Sequence, residues 1–134
     1  AAAHAIQYPV GALTKTAHGA GVACLMPYAM AFNINHATVS MAEVAVAMGV
    51  AEAGDDNFGN AERAIVAVET LFGAIGIPPN LKALGLRADQ LDWTAEQSLG
   101  AARLVKNNPR PLDLDAMQAI VRAAFAGDRH QLAN

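Results

Sequence analysis

Apolar residues recur along the chain at helical spacing, and no run joins β-branched density to strict alternation. The pattern predicts a first helix from Ala2 to about Leu13, bent or interrupted near Pro9 and Gly11. Thr16 stands where an N-cap belongs for a second helix running to about Phe32, with His18 in its first turn and Pro27 inside it. A turn at Asn33 to Asn35 leads to a third helix, roughly His36 to Ala51, carrying Val39, Met41, Val44, Val46 and Met48. Gly54 to Asn57 are turn formers. A fourth helix, Ala61 to Ala74, aligns Ile65, Val68, Phe72 and Ile75 on one stripe, with Gly76 at the place of a left-handed C-cap. Pro78 and Pro79 forbid its continuation, and Leu81, Leu84 and Leu86 form a short helix or turn. Asp89 to about Leu104 reads as one helix facing Leu91, Thr94, Ala95, Ser98 and Leu99 inward. After a loop from Lys106 to Pro111, Asp113 caps a last helix whose Met117, Ile120, Val121, Ala124 and Phe125 share a face, and Gly127 ends it. Seven helices and no strand predict an all-α, multi-helix bundle.

Composition sharpens this. The chain has 134 residues, enough for one domain, and 31 of them are alanine, the best helix former and the one that lets helices pack closely. Hydrophobic residues make up 54% and charged residues only 16%, so part of the surface is short of charge. The net charge is −3 and no basic run exists, which gives no electrostatic reason to bind nucleic acid or anionic lipid. The longest nearly apolar stretch, Gly19 to Phe32, is broken by Pro27 and is too short to span a membrane. The N-terminus has no basic residue ahead of its apolar part and reads poorly as a signal peptide. A single cysteine, Cys24, cannot form an internal disulfide and reads as a small core residue, so a cytoplasmic setting is expected. The chain opens with Ala1 rather than Met, which suggests excision from something longer.

The candidate chemistry is sparse. His130 lies in a polar tail and His36 opens a helix after a turn, so both read as surface residues. His4 sits on the first helix and His18 in the first turn of the second, where the helix dipole disfavours positive charge and leaves an imidazole able to offer its lone pair. Gly19 and Gly21, which follow, would let a backbone, ligand or cofactor approach closely. On spacing alone the pair reads either as structural histidines or as half of a metal site. Two imidazoles do not hold a divalent ion tightly, and the carboxylates offer no convincing completion: Asp55 and Asp56 read as turn or cap residues, and Asp113 and Asp115 as an N-cap pair. Gly19-Ala20-Gly21 begins like a dinucleotide fingerprint, but it lacks the third glycine, the preceding strand and the βαβ unit.

The string from His4 to Asn33 resembles the metal-binding signature of the iron-dependent (group III) alcohol dehydrogenases. His4-Ala5, Pro9-Val10-Gly11-Ala12, His18-Gly19, Leu25-Met26-Pro27, Met30 and Phe32-Asn33 fall at that signature's spacing. Ala64-Ile65, Leu71-Phe72, Gly76-Ile77-Pro78, Leu81 and Leu84-Gly85 are similar to a later helix and its turn. Asn108-Pro109-Arg110, Asp113 and Ala123-Ala124-Phe125 are similar to the C-terminal end. The resemblance implies a dehydroquinate synthase-like C-terminal helical domain, here residues 1–134, from which the N-terminal nucleotide-binding domain is absent. It implies that His4 and His18 are ligands to Fe²⁺ or Zn²⁺, completed by an Asp-x-x-x-His motif upstream of Ala1. NAD or NADP would be bound mainly by the absent domain.

Many members carry a second histidine four residues after the first, near the nicotinamide and credited with proton relay. Here that residue is Tyr8, a weaker base near neutrality but able to donate and accept a hydrogen bond. Tyr8 is therefore expected to act as a catalytic and cofactor-contacting group, with helix packing as its other reading. Val105 and Lys106 would lie near the substrate entrance. The whole enzyme would interconvert an alcohol and its aldehyde or ketone as a homo-oligomer, and the isolated domain would be inactive. The alternative is a non-enzymatic helical interaction or scaffold module, and a zinc-using glycerol-dehydrogenase-like relative is a third possibility.

Overall fold

A computed structural model describes residues 1–133. Among them lie seven α-helices and no strand: α1 (Ala2–Thr14), α2 (His18–Asn33), α3 (Thr38–Ala47), α4 (Asn57–Ala74), α5 (Leu91–Ser98), α6 (Ala102–Lys106) and α7 (Leu114–Ala126). Short 3₁₀ turns follow α2, precede α5 and close the chain at Arg129–Leu132. Helix α1 packs on α2, α5, α6 and α7, while α3 and α4 pair as a hairpin docked onto α2.

The core joins Ile6 and Val10 of α1, Leu25 and Phe32 of α2, Ile65 of α4, Leu81, and Met117, Ile120 and Val121 of α7. Alanines do much of the close packing: Ala2, Ala5, Ala45, Ala61, Ala64, Ala95, Ala123 and Ala124 are all fully buried. The buried hydroxyls of Thr94 and Ser98 each donate back to the carbonyl four residues earlier, at 2.8 and 2.7 Å, so α5 can face the core without an unpaired polar group. Arg129, also buried, meets Glu62 and Glu69 of α4 at 3.1 Å each and clamps the C-terminal turn onto that helix.

Several boundaries differ from the sequence reading, each for a local reason. Helix α1 runs unbroken through Pro9 rather than breaking there, because that proline is buried in a face whose packing outweighs one missing donor, while α2 continues through Pro27 as the pattern predicts. Thr16 does not cap α2. Its hydroxyl meets that of Thr14 at 2.6 Å, and Ala17 precedes the helix without a side-chain cap bond. Helix α3 stops at Ala47 because Gly49 turns left-handed (φ 74°) and the Val50 N–H folds back to the Ala45 carbonyl at 2.9 Å. Helix α4 begins at Asn57, four residues early, because Asp56 accepts the Gly59 N–H at 2.7 Å. Of the short helix or turn expected around Leu81, Leu84 and Leu86, the chain takes the turn, over residues 81–85.

The single helix expected from Asp89 to Leu104 is two. It breaks at Gly100 and Ala101, whose ψ of 62° lies outside the helical range, and α6 then takes Lys106 out of the following loop. Gly76 (φ 84°) and Gly127 (φ 76°) take the left-handed caps expected of them, and Asp113 caps α7 through the Ala116 N–H at 2.8 Å. Ile75 leaves the inward stripe of α4 and is 65% exposed, since it lies past the last helical turn. On the α3–α4 hairpin Val39, Val46, Val66 and Leu71 stand in solvent, and Val66 and Leu71 border an open groove.

Candidate metal centre

Helix α1 buries Ala3, Ile6, Gln7 and Val10, so residues spaced by four on the opposite side, His4 and Tyr8, face outward together. The chain leaves α1 through Lys15, a non-glycine residue in the left-handed region (φ 59°) whose N–H closes the helix on the Gly11 carbonyl at 2.9 Å. Three residues on, His18 opens α2. This reversal sets its ring 5.5 Å, centroid to centroid, from that of His4 and 6.2 Å from that of Tyr8, with the rings tilted by about 50° in both pairs. Residues fourteen apart in sequence thus form one exposed cluster.

The glycines beside His18 divide in purpose. Gly19 has open space where a side chain would stand, whereas a Cβ on Gly21 would overlap the amide of Gln7. Gly21 therefore serves the close approach of α1 to α2, the first of the alternatives its sequence position left open. On the other side of Gln7, a Cβ on Gly11 would come within 2.9 Å of its Nε2.

The start of α1 is anchored from far along the chain. The Ala2 N–H donates to Oδ1 of Asn108 at 3.3 Å, and Asn108 exchanges two amide hydrogen bonds, 3.0 and 2.8 Å, with Asn33 at the end of α2. Nδ2 of Asn108 also donates to the Arg110 carbonyl at 2.6 Å, and the Arg110 guanidinium lies 4.1 Å over the ring of Phe32. The Asn108-Pro109-Arg110 string, legible beforehand only as a resemblance, is thus the tie that locks α1 to α2 at the end carrying His4.

The cluster fits half of a metal site. Two imidazoles on one tetrahedral ion, at metal–nitrogen distances of about 2.1 Å, have ring centroids roughly 5 Å apart, close to the spacing of His4 and His18. Imidazole suits iron and zinc alike. Among the described residues no group of three or more His, Cys, Asp or Glu side chains converges, so a complete site here would need further ligands from outside them.

Tyr8 lines an open pocket with Ala101, Ala102, Arg103 and Leu104, brought there by the packing of α6 on α1. Of the two substrate-entrance candidates, Val105 packs against the core and Lys106 is exposed; Arg103 and Leu104 are the α6 residues that share the pocket with Tyr8. The break at Gly100 that re-aims α6 hid Arg103 from the sequence reading. Cys24 and Tyr28 are remote from this chemistry. Burial pushes the Cys24 thiol up to about 12, and burial foremost does the same to the Tyr28 phenol, which donates to the Pro79 carbonyl at 2.6 Å. His36 and His130 are exposed, apart from the cluster, and Trp93 is 43% exposed.

Comparison with known proteins places the chain among relatives of one kind. The chain is 31% identical over 127 residues to long-chain-alcohol dehydrogenase 1 of Geobacillus thermodenitrificans, covering 95% of this chain and 32% of that protein. It is 32% identical over 122 residues to 1,3-propanediol dehydrogenase of Klebsiella pneumoniae, covering 91% of this chain and 31% of that one. The crystal structure of a 1,3-propanediol oxidoreductase superposes with a TM-score of 0.87 at 31% identity, over 92% of this chain and 32% of its own. The chain therefore spans about a third of the length of the relatives it matches. The family model described as Fe-containing alcohol dehydrogenase family, C-terminal, matches residues 1–125, and the chain belongs to that family.

Proposed function

We propose that this chain supplies two imidazole ligands, His4 and His18, to a divalent-metal site in an NAD(P)-linked alcohol dehydrogenase, completed by groups of a separate nucleotide-binding domain. The observation that carries this reading is the 5.5 Å spacing of two exposed imidazoles in a chain of this family. Fe²⁺ is the ion the family favours, with Zn²⁺ accepted by the same donors. When bound, such an ion acts as a Lewis acid on the alcohol or carbonyl oxygen and eases hydride exchange with the nicotinamide.

The residues of this chain do the rest of their work through position. His4 and His18 present ring nitrogens from the ends of two helices locked together by Gln7 and Asn108, so little reorganisation accompanies binding. Tyr8, one turn from His4 and 62% exposed, offers a phenolic O–H that orients the substrate oxygen beside the nicotinamide and relays a proton to solvent. Helix α6, with Val105 and Lys106, forms one wall of the substrate entrance. The substrate is a primary or secondary alcohol or its aldehyde or ketone, and NAD or NADP rests mainly on the other domain. The full-length protein acts in the cytoplasm as a homo-oligomer; no helix among the described residues is long and apolar enough to cross a membrane.

The test is metal analysis and alcohol oxidation by the full-length gene product. His4→Ala and His18→Ala should each strip the metal and lower turnover roughly a hundredfold or more. The 134-residue chain alone should turn over no alcohol with NAD(P). Stoichiometric metal and undiminished turnover in both variants would overturn the ligand assignment and favour a helical interaction module.

A further inference from the structure

The face that carries His4, Tyr8 and His18 has an unusual charge pattern for a chain of net charge −3. Residues 1–42 contain no aspartate or glutamate, and neither do residues 97–112. These two segments include α1, α2 and α6, so every carboxylate of the chain lies on other elements. The same segments carry Lys15, Arg103, Lys106 and Arg110. Arg110 is spent on Phe32, through the ring contact and a 3.2 Å bond to its carbonyl. Arg103 is exposed, forms no ion pair among the described residues, and shares its pocket with Tyr8.

An arginine beside a reacting site that no carboxylate pairs with among the described residues is a receptor for an anion; its planar fork matches a carboxylate in bidentate fashion. The other walls of the pocket, Ala101, Ala102 and Leu104, are small or apolar, and suit a short carbon chain leading from the reacting oxygen to that fork.

We infer that Arg103 is a specificity residue that selects substrates bearing a carboxylate, so that this dehydrogenase prefers short hydroxy acids and their oxo acids to neutral alcohols. The inference rests on the dehydrogenase reading above and names the substrate class of that site. Arginine and carboxylate fix the far end of the substrate, and the hydroxyl end reaches Tyr8 and the two histidines.

The test uses the full-length enzyme and short ω-hydroxy acids, each compared with the primary alcohol that carries a methyl group in place of the carboxylate. Wild-type enzyme should favour the acid in kcat/KM. Arg103→Met should lower the acid-to-alcohol ratio of kcat/KM by about 10- to 100-fold, Arg103→Lys should retain part of it, and the surface control Lys82→Met should leave it unchanged. In parallel, calorimetric binding of glutarate, a dicarboxylate with no hydroxyl to oxidise, should weaken about tenfold or more in Arg103→Met.

Equal loss for acid and alcohol, or a wild-type enzyme that favours neutral alcohols and binds no glutarate, overturns the inference. So does a rise in KM for NAD(P) with an unchanged ratio, since Arg103 would then serve the dinucleotide phosphates. If the wild-type protein oxidises neither class, the dehydrogenase reading falls by itself. Glutarate then decides the role of Arg103: binding lost in Arg103→Met supports it, and absent binding overturns it.

Discussion

Replacing Gly21 with alanine perturbs the contact that sets the distance between the two histidines. A Cβ at this position overlaps the Gln7 amide, which is 2% exposed and has no free volume to retreat into. Adding a methyl group that overlaps a buried side chain outright lies in the upper part of the overpacking range, about 2–3 kcal/mol. Against this, alanine returns about 1 kcal/mol relative to a helical glycine. The net expectation is a loss of about 1–2 kcal/mol, or roughly 3–8 °C in Tm for a domain of this size. The second half of the argument lies in Gln7 itself. Its Oε1 is buried and has no hydrogen-bond partner among the described residues, so truncation forfeits packing rather than a hydrogen bond of that oxygen. Gln7→Ala should cost about 1–3 kcal/mol in wild type through the space it leaves between the helices and should instead restore about 1–2 kcal/mol in the Gly21→Ala background, where the added methyl takes up that space, a coupling that a double-mutant cycle reads directly. Thermal and urea unfolding measure both effects, and metal affinity of the full-length protein should fall in Gly21→Ala and recover in the pair. A Gly21→Ala variant as stable as wild type, or one that Gln7→Ala fails to rescue, refutes the packing argument.

Two further outcomes follow from the same geometry. Asn108→Ala leaves the Asn33 amide, the Ala2 N–H and the Arg110 carbonyl without their buried partner. It should cost about 2–4 kcal/mol in urea unfolding, and a loss under about 0.5 kcal/mol would show that the tie is dispensable. The Cys24 thiol rises from 9.0 to about 12 and the Tyr28 phenol from 10.0 to about 12 on folding, both through burial. The unfolded chain releases these protons first, so stability is whole below pH 9 and falls as pH rises toward 12. Cys24→Ala should flatten that fall by up to about 1.4 kcal/mol per pH unit, and an unchanged alkaline slope in urea titrations would contradict the burial of the thiol.

What could be read from the sequence was whatever depends on near neighbours. The periodicity of Met117, Ile120, Val121 and Ala124, with Asp113 before and Gly127 after, describes α7 nearly as it stands, because caps and apolar faces are local properties. The same holds for His4 and Tyr8 sharing a face. The features misread or left open are those decided at a distance. Proline at 9 argues locally for a bend or a break, and only the packing of α1 keeps that helix whole. Gly21 next to a histidine leaves open a backbone, ligand or cofactor, and only Gln7, fourteen residues earlier, decides for the first. The bend at Gly100 turns one predicted helix into two and so moves Arg103, not Lys106, to the side of Tyr8.

The site's construction explains why those distant contacts matter for chemistry. His4 and His18 are both exposed and neither has a hydrogen-bonding partner that orients it within the cluster; their ring spacing is inherited from the backbones of α1 and α2. Those backbones are held at one end by the Asn33–Asn108 amide pair and in the middle by Gln7 lodged between Gly11 and Gly21. Because Asn33 and Asn108 lie 75 residues apart and Ala2 and Asn108 lie 106 apart, the first turn of α1 reaches its final place only when the loop after α6 has closed on α2. Ordering of the two imidazoles is thus coupled to completion of the fold. A lesion at Asn108, which touches neither histidine, should weaken metal retention in the full-length protein along with stability. A surface change such as Lys82→Met should move neither.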